Sequence, residues 1–186
     1  MDIKLQILLN ILDEVSSKYD EMVKVKEELL KEAEYKSTHD LLTGVYNRSF
    51  FKKKINELIK TNTPFSIAFI DLDNFKYVND TFGHNKGDEV LIKTAKILKS
   101  NLKGKDIIAR FGGDEFVVAI IDCDEKCAKH MLEKIQKEIN FVFREYEVSA
   151  SIGIASFPKI KTYDELIKTA DKKMYEAKKD GKNKIR

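Results

Sequence analysis

The sequence predicts an α+β fold carried on a long N-terminal helix, and three features predict it. Residues 1–36 contain neither Gly nor Pro and repeat apolar residues at alternating spacings of three and four. From Ser37 onward strand-like and helix-like periods alternate, and Gly112 and Gly113 separate two strand-like runs. The order strand, two helices, hairpin, helix, strand, helix implies a mainly antiparallel sheet with helices on one or both faces.

In the first segment Leu5, Leu12, Tyr19, Lys26 and Ala33 occupy one seam position of a heptad, and Leu8, Val15, Met22 and Leu29 occupy the other. A lone helix would leave this stripe in water, whereas a parallel two-stranded coiled coil would bury it, with Lys26 disfavouring higher oligomers. Because Leu9, Val23 and Leu30 widen the stripe, folding back onto the same chain is the competing reading; pairing between chains is preferred. After it, 47–62 reads as a helix, 65–72 (FSIAFIDL) as a buried strand and 73–82 as a short helix broken by Gly83. An amphipathic helix follows over 85–102, with Asn85 as its expected N-cap and Asp88 three residues on. Strands at 106–111 and 115–122 flank the glycine turn, 124–140 is helical, 146–157 is strand-like, 162–180 is helical, and 182–186 is expected to close as an edge strand. The expected domains are a helix over 1–36 and a catalytic-sized domain over 37–186.

A length of 186 residues with 42% hydrophobic and 35% charged residues suits one domain plus an appendage. Lys and Arg total 34 against 31 Asp and Glu, so the net charge of +3 is not the lopsided balance of a nucleic-acid binder. No apolar run of about 18 residues exists, and Asp2, Lys4, Asp13 and Glu14 interrupt any secretory core, so a soluble, cytoplasmic chain with no membrane contact is expected. Cys123 and Cys127 cannot build a disulfide framework, and a reducing compartment is the simpler reading. With His130 they would share a helix face, but zinc would lack a fourth ligand nearby, and core packing is preferred.

The chemistry concentrates at two acidic pairs. The strand FSIAFIDL ends in Asp71, with Asp73 two residues on; Asp114 and Glu115 follow the two glycines. If the hairpin lies beside that strand, Asp71 and Asp114 converge at one rim, and two hard-oxygen carboxylates suit a Mg²⁺ ion that also holds substrate phosphates. Taken singly, each pair reads better as a solvated turn with strand-end charges. The segment 76–88 adds Lys76, Asn79, His84 and Asp88. A carboxylate can accept the N1–H and N2–H₂ donors of guanine together, so Asp88 with Asn79 reads as a guanine site, although Asp88 is also a natural helix cap and His84 a structural histidine. Lys178 and Lys182 flank Gly181 at a helix end, where they could neutralise phosphates or merely face water.

Arg110 to Phe116 (RFGGDEF) resembles the signature of GGDEF-domain diguanylate cyclases, which condense two GTP into cyclic di-GMP and release pyrophosphate. Asp40 to Arg48 (DLLTGVYNR), Asp71 to Lys76 (DLDNFK), Asn79 to Asp88 (NDTFGHNKGD), Ala150 to Ala155 (ASIGIA) and Ala170 to Asn183 (ADKKMYEAKKDGKN) resemble further motifs of that family, in its order. The resemblance implies a palm-like βααββαβ domain in which Asp71, the Leu72 carbonyl and Asp114 bind Mg²⁺ or Mn²⁺. It implies that Asn79 and Asp88 hold guanine, that His84 is a further substrate contact and that Lys178 and Lys182 hold the triphosphate. Lys76 would stabilise charge at the α-phosphate, Asp114 would accept the proton, and Glu115 belongs to the signature. It also implies that each domain binds one GTP and that two domains face each other as a homodimer. The N-terminal helix would supply that pairing and carry input from a sensor upstream.

Two positions depart from the family pattern. Lys103-Gly104-Lys105-Asp106 stands where many members carry the inhibitory Arg-x-x-Asp, and lysine lacks the planar fork of arginine, so weak product inhibition is expected. Lys182 stands where Arg is usual, yet a point charge still binds phosphate. The alternative functions are a catalytically silent nucleotide-binding or scaffold module and a cyclase of relaxed base choice. Retained hairpin carboxylates argue against the first. Asp88, which would face the N1 acceptor of adenine, argues against the second.

Overall fold

The structure, a computed structural model, describes residues 3–186 and their side chains except at positions 4–6, 8 and 9. The side chains of Leu5, Leu8 and Leu9, which open the expected apolar stripe, therefore lie outside the described residues. The chain divides into two compact units, Met1–Ser37 and Thr38–Arg186.

The first unit is one helix, α1 (Ile3–Thr38). Its remaining stripe residues Leu12, Val15, Tyr19, Met22 and Leu29 are all exposed. Glu14 pairs with Lys18 at 2.8 Å and Glu32 with Lys36 at 2.5 Å, each acidic residue one turn before its base, the orientation that suits the helix dipole. No helix among the described residues is long and apolar enough to cross a membrane.

The second unit follows the order β1 (Tyr46–Asn47), α2 (Arg48–Lys60), β2 (Phe65–Asp73), α3 (Phe75–Phe82), α4 (His84–Asn101), β3 (Ile107–Gly112), β4 (Glu115–Ile121), α5 (Glu125–Val142), β5 (Ser149–Phe157) and α6 (Tyr163–Lys179). The five strands form one sheet in the order β1-β3-β4-β2-β5, antiparallel except where β1 runs parallel to β3. The mainly antiparallel α+β architecture read from the sequence is the architecture observed.

Strand alternation sorts the core into two layers. Along β2, Ala68, Ile70 and Leu72 join a cluster with Val78, Val90, Leu98, Leu132 and Ile139 from α3, α4 and α5. Phe65, Ile67 and Phe69 point to the opposite face and pack with Phe51 and Ile55 of α2 and Leu166, Ala170 and Met174 of α6. Both faces of β2 are thus covered, which is why it reads as an unbroken apolar run.

Several local expectations need correction. The N-cap of α4 is Gly83 with no side-chain cap bond, and Asn85 lies inside the first turn, so Asp88 closes no capping box. Residues 144–146 form a 3-10 turn, and the left-handed Glu147 (φ 54°) delays the last strand to Ser149. The 182–186 edge is reduced to one parallel bridge, Ile185 with Ile152. The two-residue β1 carries too short a pattern to be seen in sequence. Finally, Cys123 and Cys127 are bonded to each other with Cα atoms 5.5 Å apart. Cys123 precedes the N-cap Asp124, so the two cysteines do not share a helix face, and the packed free thiols expected from a helical spacing are not what forms.

Candidate active site

The odd-numbered residues of β2 face α6, and Asp71 and Asp73 continue that series where the apolar run ends. Asp71 pairs in register with Glu115 on one side and Ser151 on the other. One residue on, the Leu72 N–H points to the Asp114 carbonyl at 3.4 Å, so the turn between β3 and β4 closes against the end of β2. Gly112, with φ +152°, makes that turn in a conformation side-chain-bearing residues rarely adopt. Asp71, Leu72, Asp114 and Glu115 are therefore brought to one rim, the convergence expected from sequence.

Asp71 is almost fully buried, and Lys178 Nζ from the last turn of α6 lies 2.6 Å from its Oδ1. That oxygen accepts no well-directed hydrogen bond among the described residues. Burial, opposed by Lys178 but reinforced by Asp114 and Asp73, pushes the Asp71 carboxyl up to about 6. Burial also raises Glu115, with Asp114 and Asp171 adding to it. Carboxylates held this close and this dry repel one another and gain most from a multivalent cation; an incompletely satisfied buried oxygen, a second carboxylate at Asp114 and an adjacent main-chain carbonyl are the hard donors such a cation takes.

The turn is fixed from behind by Arg110. Its Nε and Nη2 donate to the Gly113 carbonyl at 3.0 and 2.7 Å, and its Nη1 reaches both carboxylate oxygens of Asp40 at 3.2 Å. Asp40 in turn accepts the Thr43 N–H at 2.9 Å and its hydroxyl at 2.6 Å. The fork of one guanidinium thus ties the acidic turn to the start of the domain, a geometry lysine could not reproduce.

The expected base-reading residues lie on α3 and α4. Asn79 is half-buried, and its Oδ1 occupies the space beside Gly87, where an added Cβ would come within 1.9 Å. Gly87 precedes Asp88, which is exposed one turn into α4; His84 begins the same helix and Lys76 lies in the first turn of α3, both exposed. Asn79 and the Asp88 turn are hence packed together, while His84 and Lys76 stand open on the same helical pair.

The last predicted pair divides. Lys178 meets Asp71, whereas Lys182 Nζ donates to Asn74 Oδ1 at 2.8 Å. The sequence reading missed Asp73 as a partner of the chain end: it accepts from Ser149, Ser151 and the Asn183 N–H. Its spacing of two from Asp71 signalled a shared face, but a contact 110 residues away left no local signal. Arg110 and Gly87 were visible in motifs without their physical roles.

Residues 37–184 match the family described as diguanylate cyclase, GGDEF domain. Diguanylate cyclase DosC of Escherichia coli (strain K12) is 33% identical over 194 aligned residues, covering 98% of this chain and 41% of that protein, so the chain spans about two fifths of that relative's length. The coiled coil and GGDEF domain of DgcB from Caulobacter crescentus, solved in complex with c-di-GMP, shares the fold at a TM-score of 0.81 and 23% identity, covering 94% of this chain and 97% of that one. Diguanylate cyclase SiaD of Pseudomonas aeruginosa, solved with its activator SiaC, gives a TM-score of 0.74 at 28% identity over 98% of this chain and 74% of that one. With the acidic rim, the glycine turn and the sheet order already in hand, the match over most of its length means that this chain belongs to the GGDEF family of diguanylate cyclase domains.

Proposed function

We propose that the protein condenses two GTP molecules into cyclic di-GMP with release of two pyrophosphates, each protomer of a homodimer presenting one GTP to the other. The observation that carries this reading is the meeting of Asp71, Asp114 and Lys178 at the end of β2. Asp71, the Leu72 carbonyl and Asp114 hold Mg²⁺ or Mn²⁺, which offsets charge on the phosphates when bound. Asn79 and Asp88 take the guanine edge, with His84 as a further contact, and Lys178 and Lys182 take the triphosphate. Asp114 accepts the proton as the ribose 3′-oxygen of one GTP forms its bond to the α-phosphorus of the other. The bond from that phosphorus to the bridging oxygen breaks, and pyrophosphate leaves. Lys76 stabilises the charge that develops at the α-phosphate, and Glu115 supports the same rim.

The exposed seam of α1 supports a parallel coiled coil whose pairing raises the local concentration of the second domain. The two domains then face each other across the substrates, with sensory input arriving through the helix and the chain working in the cytoplasm. Weak product inhibition is favoured as well. Both carboxylate oxygens of Asp106 are already engaged, one by the Lys103 N–H at 2.8 Å and one by the Ile121 N–H at 3.0 Å. Strong noncompetitive inhibition by cyclic di-GMP that disappears in Asp106→Ala would contradict this.

Incubating the purified chain with GTP and Mg²⁺ and resolving the nucleotides by chromatography tests the proposal. Cyclic di-GMP and pyrophosphate are expected from GTP, and no dinucleotide from ATP. Nucleotide binding without turnover, at protein concentrations that ensure dimers, would establish the silent-module reading instead.

A further inference from the structure

We propose that Asp73 is a positioning residue for the triphosphate lysine Lys182, acting through the turn that follows α6. Asp73 is 2% exposed, and the donors that satisfy it are neutral: Ser149 Oγ at 2.7 Å from Oδ2, Ser151 Oγ at 2.9 Å from Oδ1, and the Asn183 N–H at 3.0 Å from Oδ2. A carboxylate buried this fully is costly to keep unless something depends on it. What depends on it is the conformation of the chain end. Lys182 and Asn183 are both left-handed, with φ of 61° and 51°, and two successive non-glycine residues rarely hold that geometry unaided.

Asp73 supplies the acceptor that holds it. Its Oδ2 takes the N–H of the second left-handed residue, while the first returns its own N–H to the Ala177 carbonyl at 3.1 Å. The backbone at Lys182 is thereby pinned between the end of β2 and the last turn of α6. From that point its ammonium reaches Asn74, the residue next to Asp73, at 2.8 Å, and Asn74 is itself left-handed with φ 63°. Without the carboxylate the turn can relax to right-handed or extended backbone, and the ammonium leaves its place. An alanine side chain cannot substitute, because it offers no acceptor to the two hydroxyls or to the N–H. The inference rests on the reading of Lys182 as a triphosphate contact made above.

A double-mutant cycle in the 186-residue chain tests it, with calorimetric titration of 3′-deoxy-GTP, which cannot attack, and of guanosine, both in Mg²⁺. Asp73→Ala and Lys182→Ala are each expected to weaken 3′-deoxy-GTP about tenfold and guanosine less than about twofold, and the double variant to be within about twofold of Lys182→Ala. Losses that multiply in the double variant, or guanosine weakened as much as the triphosphate by Asp73→Ala, overturn the proposal. If Lys182→Ala weakens the triphosphate and Asp73→Ala does not, the positioning role alone fails. If Lys182→Ala changes nothing, the assignment of Lys182 fails and takes the positioning role with it. Should circular dichroism show Asp73→Ala unfolded, Ser149→Ala takes its place in the cycle with an expected effect of about threefold, and unchanged affinity there overturns the proposal.

Discussion

Asp71 lies two residues before the end of β2, a strand buried along its whole length, and that burial, opposed by Lys178 but helped by Asp114 and Asp73, pushes its carboxyl up to about 6. The unfolded chain titrates this group near 3.8, so between those two values the native state holds more protons than the unfolded one and stability falls as pH rises. In a chelating buffer, urea unfolding should therefore show the parent losing stability relative to Asp71→Asn as pH is raised from about 4 to about 6, with the difference constant above. Parallel stability profiles for the two proteins would contradict the assignment. Asp71 and Asp114 were legible in sequence because each is announced locally, one by the end of an apolar run and one by a glycine pair. Asp73 was half-legible: its face followed from strand alternation, its partners at Ser149 and Asn183 only from the fold.

Two glycines govern how the elements meet. A Cβ on Gly153 of β5 would lie 2.0 Å from the Ala170 carbonyl and 2.3 Å from the Met174 nitrogen, both main-chain atoms of α6. Because α6 carries Lys178 to Asp71, this close seat of helix on strand also sets the reach of the lysine. Gly153→Ala is expected to lower stability by about 3 kcal/mol in chemical denaturation, through overpacking that backbone cannot relieve. Gly87→Ala acts differently, since its Cβ would meet the Asn79 side chain, which can move. The fold should survive while the KM for GTP rises about tenfold with kcat little changed, as expected when uniform ground-state binding is lost. A KM equal to that of the parent would remove Asn79 from the base site. At this scale the helix starts read at 47, 124 and 162 fall on the caps Asn47, Asp124 and Thr162, each of which accepts a main-chain N–H three residues on. The misread cap at Asn85 arose because the backbone at Gly83, with φ 84°, starts α4 earlier than side-chain chemistry alone would place it.

The whole molecule consists of a helix with an uncovered apolar stripe and a domain whose site, on the proposed reading, needs a second copy. Val15 and Met22, 59% and 70% exposed, occupy the same seam position in successive heptads. Val15→Glu with Met22→Glu should shift sedimentation from dimer to monomer and make specific activity climb with protein concentration, because the tethered second domain is lost. Unchanged sedimentation would place the dimer contact elsewhere. The order of elements and the heptad period carried the architecture in the sequence. The Cys123–Cys127 bond did not show there, because a loop residue and a helix residue share no period. On the proposed reading the acidic rim formed by Asp71 and Asp114 performs GTP condensation, and pyrophosphate release from GTP and Mg²⁺ by the parent and by Asp114→Asn tests this most directly. Two pyrophosphates per cyclic di-GMP are expected from the parent and a loss of about a hundredfold or more in the variant; normal turnover by Asp114→Asn would contradict the assignment.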